Sequence, residues 1–214
     1  MLKIRKANID DCQLIHELAE QVFPLTYKDI ITPEQCDFMM DWMYSIPNLQ
    51  KQMTEEGHVY LLATNEDGDY VGYVSVQPQG EHLWHLQKIY VLPQFQGLKA
   101  GKYMFQEALK YIKEVHPDPC VVELNVNRNN KAVTFYEHMG MHKDRQGDFP
   151  IGNGFYMNDY IMAINIKLNK DNLTITTPEG KSATFNMFEV DENAAKAMEN
   201  AKAEDSNEDK SSEE

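Results

Sequence analysis

A chain of 214 residues, 42% hydrophobic and 25% charged, suffices for one ordinary domain with a real core plus a tail, and is too short for two large domains. Lys and Arg number 20 against 34 Asp and Glu, a formal net charge of −14, which repels nucleic-acid phosphates and anionic lipid and argues against partners of either kind. Apolar runs fall far short of the ~20 residues of a spanning helix, Met1-Leu2-Lys3-Ile4-Arg5 lacks a signal-peptide block, and Cys12, Cys36 and Cys120 suit neither a disulfide framework nor a Cys-built zinc site, so a reduced, soluble, cytoplasmic protein is expected.

Leu2 to Lys6 alternates as a strand. Asn8, with Asp11 following, is placed to cap a helix whose Ile15, Leu18, Ala19 and Val22 share one face, and Pro24 is expected to end it near Phe23. Thr32-Pro33-Glu34-Gln35 opens a second helix with an N-cap hydroxyl and Pro at the first position. Its stripe of Cys36, Met39, Met40 and Met43 reads as core packing. His58 to Thr64 and Tyr70 to Gln77 flank the turn Asn65-Glu66-Asp67-Gly68-Asp69, and a third strand follows from Leu83 to Leu92. Strict alternation along it would put His85, Gln87, Ile89 and Val91 on one face, with Trp84, Leu86, Lys88 and Tyr90 on the other.

After Pro93 the period changes. Met104, Phe105, Ala108, Leu109 and Ile112 predict a helix from about Gly97 to Val115. Cys120, Val122, Leu124 and Val126 line one face of the next strand, Ala132, Phe135, Tyr136 and Met139 mark a short helix ended by Gly140, and a long strand runs from about Phe155 to Lys167. The fold class is α/β (α+β mixed): a mixed, mostly antiparallel sheet of about six to seven strands with helices on both faces. From Asn169 to Glu214, 5 basic residues face 12 acidic ones, a net of −7 and half the total imbalance. The chain therefore divides into a folded unit over 1–168 and an acidic extension over 169–214. In that extension, Leu173 and Ile175, Pro178-Glu179-Gly180, then Ala183, Phe185 and Met187 predict a hairpin. Asp191 caps a short Ala-rich helix ending near Ala203, and the remaining polar, self-repelling stretch is expected to be disordered.

The chemistry concentrates in Val91-Leu92-Pro93-Gln94-Phe95-Gln96-Gly97-Leu98-Lys99-Ala100-Gly101-Lys102, where a strand ends and a helix starts inside a turn with two glycines. The first turn of a helix has unpartnered N–H groups and the positive end of the macrodipole, a ready seat for phosphate or pyrophosphate. The spacing fits neither the P-loop nor the dinucleotide fingerprint. Together with Asn129-Asn130-Lys131-Ala132-Val133-Thr134-Phe135-Tyr136-Glu137-His138-Met139-Gly140-Met141, it resembles the GNAT superfamily of acetyl-CoA-dependent N-acetyltransferases. The family's acyl-carrier loop, Gln/Arg-x-x-Gly-x-Gly/Ala, fits Gln96 to Gly101 except that Lys99 replaces the middle glycine. Leu86-Gln87-Lys88-Ile89-Tyr90-Val91-Leu92-Pro93 and Phe155-Tyr156-Met157-Asn158-Asp159-Tyr160-Ile161-Met162 resemble the bacterial branch that includes polyamine acetyltransferases.

The resemblance implies that strands Leu83–Leu92 and Cys120–Val126 splay apart around the pantetheine arm of acetyl-CoA, with no metal. Gln96, Gly97, Leu98, Lys99, Ala100, Gly101 and Lys102 would wrap its pyrophosphate, Asn129 would bond the arm, and backbone groups of Ile89, Tyr90 and Val91 would polarise the thioester. Tyr136 matches the family's general acid, and His85 stands where many members carry a glutamate base, with Glu81 and Asp159 as rival carboxylates. Tyr27, Phe155 and Asp159, on Phe23 to Ile31 and around the presumed loop Gly147 to Gly154, would face the acceptor, a small-molecule amine. His82 and His85 form a His-x-x-His, but on a strand they face opposite ways and no metal is expected between them. The family resemblance allows a homodimer. A second reading is a non-catalytic acyl-CoA-binding or protein-interaction module on the same fold.

Overall fold

In a computed structural model, which describes residues 1–97, 99–169, 172–178 and 180–186, these patterns close into one sheet covered on both sides. Lys3–Lys6 (β1), Val59–Thr64 (β2), Tyr70–Gly80 (β3) and Leu83–Val91 (β4) pair antiparallel in chain order. Cys120–Asn127 (β5) joins β4 in parallel at one end, and Phe155–Asn169 (β7) lies antiparallel on the far edge of β5. His142–Gly152 (β6) folds back on β7, while Asn172–Thr176 (β8) and Ser182–Asn186 (β9) extend the same edge. The sheet is mixed and mostly antiparallel as expected, but has nine strands among the described residues, more than the six to seven read from the sequence.

Two segments account for the excess. Gly147 to Gly154, expected as a loop, is hairpin: Phe149 pairs Met157 and Gly152 pairs Phe155 across a two-residue turn, where Asn153 (φ 53) and Gly154 (φ 77) are both left-handed. Asn-Gly is the favoured dipeptide for that turn, because its twist matches the flanking strands. The β8–β9 hairpin continues the sheet beyond β7, and Ile175 on it is 4% exposed and packs into the core. The helix expected from Asp191 to Ala203 and the tail beyond it lie outside the described residues.

One face of the sheet carries Cys12–Tyr27 (α1), Pro33–Tyr44 (α2) and Ile46–Thr54 (α3); the other carries Ala100–Val115 (α4) and Ala132–His138 (α5). Pro24 does not end α1, which runs on to Tyr27. Its fixed φ suits a helix and it forfeits one backbone bond, while Thr26 Oγ1 donates to the Val22 carbonyl at 2.8 Å and Val22 and Phe23 are buried. Asn8 caps a separate 3₁₀ turn over Ile9–Asp11 through a capping box, and Arg5 grips Asp11 with two bonds of 2.7 and 2.8 Å. The α3 helix was not expected, since its nine residues bury only Leu49 and Gln52.

Alternation assigns the two cores. On β2, Leu61 and Ala63 join Val74, Val76, Trp84, Leu86, Met104, Phe105, Ala108, Leu109 and Ile112, whereas Tyr60 and Leu62 join Ile15, Leu18, Ala19, Val22, Phe23 and Tyr73. Each large apolar side chain so buried contributes about 1.5–3 kcal/mol over its exposed state. Alternation fails at one place on β4. Ser75 pairs Lys88 but Val76 pairs Leu86, leaving Gln87 as the extra residue of a bulge. Consequently Trp84, Leu86, Ile89 and Val91 all pack toward α4, while Lys88 and Tyr90 face α1–α3, correcting the strict period-two expectation.

Candidate active site

Strands β4 and β5 run side by side only over Leu83–His85 and Val121–Glu123. Beyond that point β4 stays on β3 through Val91, and β5 stays on β7 through Asn127. The two strands therefore part, each held by its outer neighbour, and leave facing edges with no strand between them among the described residues. Leu92 N–H donates to the Val71 carbonyl on β3 at 2.9 Å. By antiparallel alternation the N–H groups of Ile89 and Val91 then point to the open edge, and that of Tyr90 to β3. Gln96 reaches the same edge, its Nε2 donating to the Val91 carbonyl at 3.3 Å.

Past β4 a 3₁₀ turn, Pro93–Phe95, leads through Gln96 and Gly97 to α4. Gly97 (φ 87) and Lys99 (φ 59) are both left-handed; Leu98 between them lies outside the described residues. Such turns aim successive N–H groups inward, and here they precede the positive end of a sixteen-residue helix. Ala100 is buried in the first turn and Lys102 is half-buried. A Cβ on Gly101 would sit 3.3 Å from Phe135 Cζ and 3.8 Å from Val91 Cγ2, so the missing side chain lets α4 settle against α5 and the end of β4. The loop from Gln96 to Gly101 and the segment from Asn129 to Met141, distant in sequence, meet at that contact.

Around the opening lies a cluster of phenols and amides. The hydroxyls of Tyr27 and Tyr90 are 3.3 Å apart. Burial raises both, and Tyr27 also faces Asp159 and Asn130. Tyr136, 7% exposed on α5, is pushed well above the ordinary phenol range by burial first and by Tyr27 second, so it keeps its proton at neutral pH. Asp159 on β7, opposite Asn127 and 2% exposed, is raised by burial, an effect opposed by the Asn125 bond (3.2 Å) and by Arg128. Asn129 is exposed, and its N–H is tied to Asn127 Oδ1 at 2.9 Å. The structure thus brings Tyr27, Tyr90, Tyr136 and Asp159 together. Phe155 stands apart at the β6–β7 hairpin, its ring 5.4 Å from Phe38.

His85 is the last β4 residue paired to β5, opposite Glu123. It is 8% exposed and its Nδ1 has no hydrogen-bond partner among the described residues. Burial lowers it to about 4, a fall opposed by Glu123 and reinforced by Arg145, whose guanidinium clasps Glu123 at 2.9 and 3.0 Å. The ring is therefore neutral at pH 7 with a nitrogen uncommitted. Glu81 is remote from the opening, 91% exposed in its side chain beside His82 at the hairpin end of β4. Sequence reasoning missed Asn125, Asn127 and Asn130; the recurrence of asparagine from Asn125 to Asn130 was the available signal, since short amides serve both turns and buried polar rims.

A mixed sheet whose central parallel pair opens beside a helix N-terminus is the arrangement that the sequence resemblance implied, and comparison with known families gives it a name. The Acetyltransferase (GNAT) domain model matches residues 28–162, and the chain belongs to the GNAT family of N-acetyltransferases. An uncharacterized N-acetyltransferase of Mycobacterium tuberculosis (strain H37Rv) is 26% identical over 153 residues, 71% of this chain and 96% of that protein. A spermidine N(1)-acetyltransferase of Thermoplasma acidophilum is 24% identical over 143 residues, 65% of this chain and 87% of that protein. In fold, the chain resembles the PaiA N-acetyltransferase of T. acidophilum solved with coenzyme A, with a TM-score of 0.61 at 23% identity over 76% of this chain and 98% of the other.

Proposed function

We propose that the chain transfers acetyl from acetyl-CoA to the primary amine of a small cationic acceptor, by direct attack with both substrates bound. The observation that carries this reading is the parting of β4 and β5 beyond His85 and Glu123, with buried phenols and Asp159 around the gap. The gap fits the acyl carrier. Ile89 and Val91 offer amides along it, Gln96 to Lys102 wraps the phosphates, and Asn129 bonds the pantetheine arm. Acetyl-CoA supplies the activated thioester; an N–H from β4 aimed at the carbonyl oxygen is worth about 3 kcal/mol in the barrier.

The acceptor arrives as an ammonium, with an ordinary pKa of about 10. Asp159 draws it in and Tyr27 roofs it, while Phe155, packed on Phe38 at the β6–β7 hairpin, stands too far off to take the part expected of it. Desolvation then weakens the ammonium's hold on its proton. His85, neutral and uncommitted at Nδ1, takes that proton through a water before the C–N bond forms, freeing the lone pair that attacks the thioester carbon. An affinity of about 4 makes it a relay that passes the proton on, not a store. Tyr136, kept protonated by burial, donates to the departing sulfur as the C–S bond breaks, and regains a proton from the second N–H that the acetylated nitrogen sheds. Two relatives named for spermidine or spermine acetylation, from T. acidophilum and Vibrio cholerae, make linear polyamines the first acceptors to try.

The test joins a variant to an acceptor panel, following release of free CoA thiol. Tyr136→Phe is expected to lower kcat by about 10²–10⁴ with acetyl-CoA affinity held within about twofold; an unchanged kcat removes Tyr136 from the mechanism. Across polyamines, amino acids, aminoglycosides and peptides, turnover confined to peptides would overturn the small-cation reading.

A further inference from the structure

At the end of the sheet opposite the carrier loop, two imidazoles converge. His82 lies in the β3–β4 turn and His116 caps the C-terminus of α4; His82 Nδ1 and His116 Nε2 are 3.4 Å apart, with ring centroids at 5.4 Å. That separation has a chemical meaning. Two imidazole nitrogens, each about 2.0–2.1 Å from a tetrahedral zinc ion, lie about 3.3–3.4 Å from each other. We propose that His82 and His116 form a binding site for a zinc-class divalent transition ion, with two protein nitrogens and water completing the shell.

The main chain beneath both rings is fixed. The His82 carbonyl accepts from Val121 N–H at 2.9 Å, and His116 N–H donates to the Ile112 carbonyl at 2.7 Å. Lys113 Nζ, donating to the Asp118 carbonyl at 2.5 Å, pins the turn that follows α4. The outer nitrogen of His82, Nε2, lies 3.9 Å from Glu81 Oε1, too far for a hydrogen bond but near enough for the carboxylate to place negative charge beside the site. Imidazole ligands select zinc, nickel and copper over magnesium or calcium, which prefer oxygen. No group of three or more ligating side chains occurs among the described residues, so the site is an open two-histidine one. It would tie the β3–β4 turn, the end of α4 and the start of β5 together, and takes no part in acetyl transfer.

The test uses the full chain, stripped by a chelator and titrated with ZnCl₂ under calorimetry, with thermal melting in parallel. One zinc per chain is expected, with Tm raised by about 5–10 °C at roughly a hundred times Kd. His82→Ala and His116→Ala should each abolish the shift, Glu81→Gln should weaken binding several-fold, and His142→Ala should change nothing. Three results overturn the proposal: no heat and no shift in the parent chain, leaving the pair as an imidazole–imidazole hydrogen bond; unchanged affinity in the His82→Ala/His116→Ala double variant; or one zinc per two chains with dimerisation.

Discussion

The two faces of the sheet are made of different material. Against α4 and α5 lie mostly aliphatic side chains, with Met104, Ala108, Leu109, Ile112, Val74, Val76 and Val122 all at 0% exposure. Against α1–α3 lie Phe23, Tyr44 and Tyr73 at 0% and Tyr60 at 1%, joined by Tyr27 and Tyr90. The first face has almost no polar atoms to satisfy and is held by close packing. On the second, every hydroxyl needs a partner: Tyr73 donates to Tyr44 at 2.8 Å, Tyr60 to Gln52 at 2.6 Å, and Lys88 to Gln52 at 2.8 Å. Lys88 lies over the Tyr44 and Tyr60 rings at 4.7 and 5.0 Å, and burial lowers it to about 7. One face therefore fixes where α4, the end of β4 and Tyr136 stand, and the other is held by a network in which each polar group depends on its partner.

The largest effect should come from Gly72, where β3 meets β4 under α4. A Cβ there would fall 2.2 Å from the Tyr90 carbonyl oxygen and 3.0 Å from Met104 Cε, and backbone cannot yield as a side chain can. Gly72→Ala should cost about 4 kcal/mol or more, unfolding the chain or separating α4 from β4. Urea midpoints measure it, and a loss below about 1 kcal/mol would show that the aliphatic face is loosely packed.

Next comes the dependence of stability on pH. His85 is lowered to about 4 in the folded chain from about 6.5 when unfolded, so between these values the unfolded state binds more protons. The stabilisation is whole above pH 6.5 and is lost as pH falls toward 4, about 3 kcal/mol for this one ring. His58, also held near 4 mainly by burial, acts in the same direction. Unfolding free energies of His85→Gln should thus fall less steeply over this window than those of the parent. Parallel curves would mean that His85 is not buried as a neutral ring.

How much of this was readable beforehand divides along the same line. The aliphatic face announced itself: Cys120, Val122, Leu124 and Val126 keep period two, and Met104, Ala108 and Ile112 keep the helical period, because burial on one side of a regular element leaves a local imprint. The turn after β4 and the start of α4 were likewise visible, since both are local. The bulge at Gln87 was not, because it is a mismatch of register with Ser75 and Val76, a property of two strands. The Asn153-Gly154 turn carries a local signal, the favoured dipeptide of a two-residue hairpin, but Gly147 and Gly152 around it suit a loop equally well. The tyrosine contacts across α1, α2, β3 and β4 could not be assembled from any one segment, as each phenol looks like ordinary core until its partner is placed.

A smaller loss tests the polar face directly. Tyr73→Phe removes a donor to the Tyr44 hydroxyl while keeping the ring that meets Tyr44 at 6.0 Å and Tyr90 at 5.7 Å. It should cost about 1–2 kcal/mol, the range for one buried hydrogen bond. A neutral result would show that these hydroxyls are merely tolerated there.

The smallest change is expected at Lys99, and it should run the other way. Lys99 stands at φ 59 where the family's loop has glycine, and a side chain in the left-handed region costs about 1 kcal/mol over glycine. Lys99→Gly should therefore raise stability by up to about 1 kcal/mol, part of it returned as the extra freedom of glycine in the unfolded chain. Lys99→Ala keeps the strained backbone and removes the ammonium, so the pair of variants separates conformation from charge. If main-chain amides alone hold the phosphates, acetyl-CoA affinity survives in both. If the ammonium contributes, affinity falls equally in both, and the parent chain loses that advantage as salt is raised. A fall in Lys99→Gly alone would mean that the left-handed turn must be rigid to hold its ligand, and that the lysine is retained for stiffness.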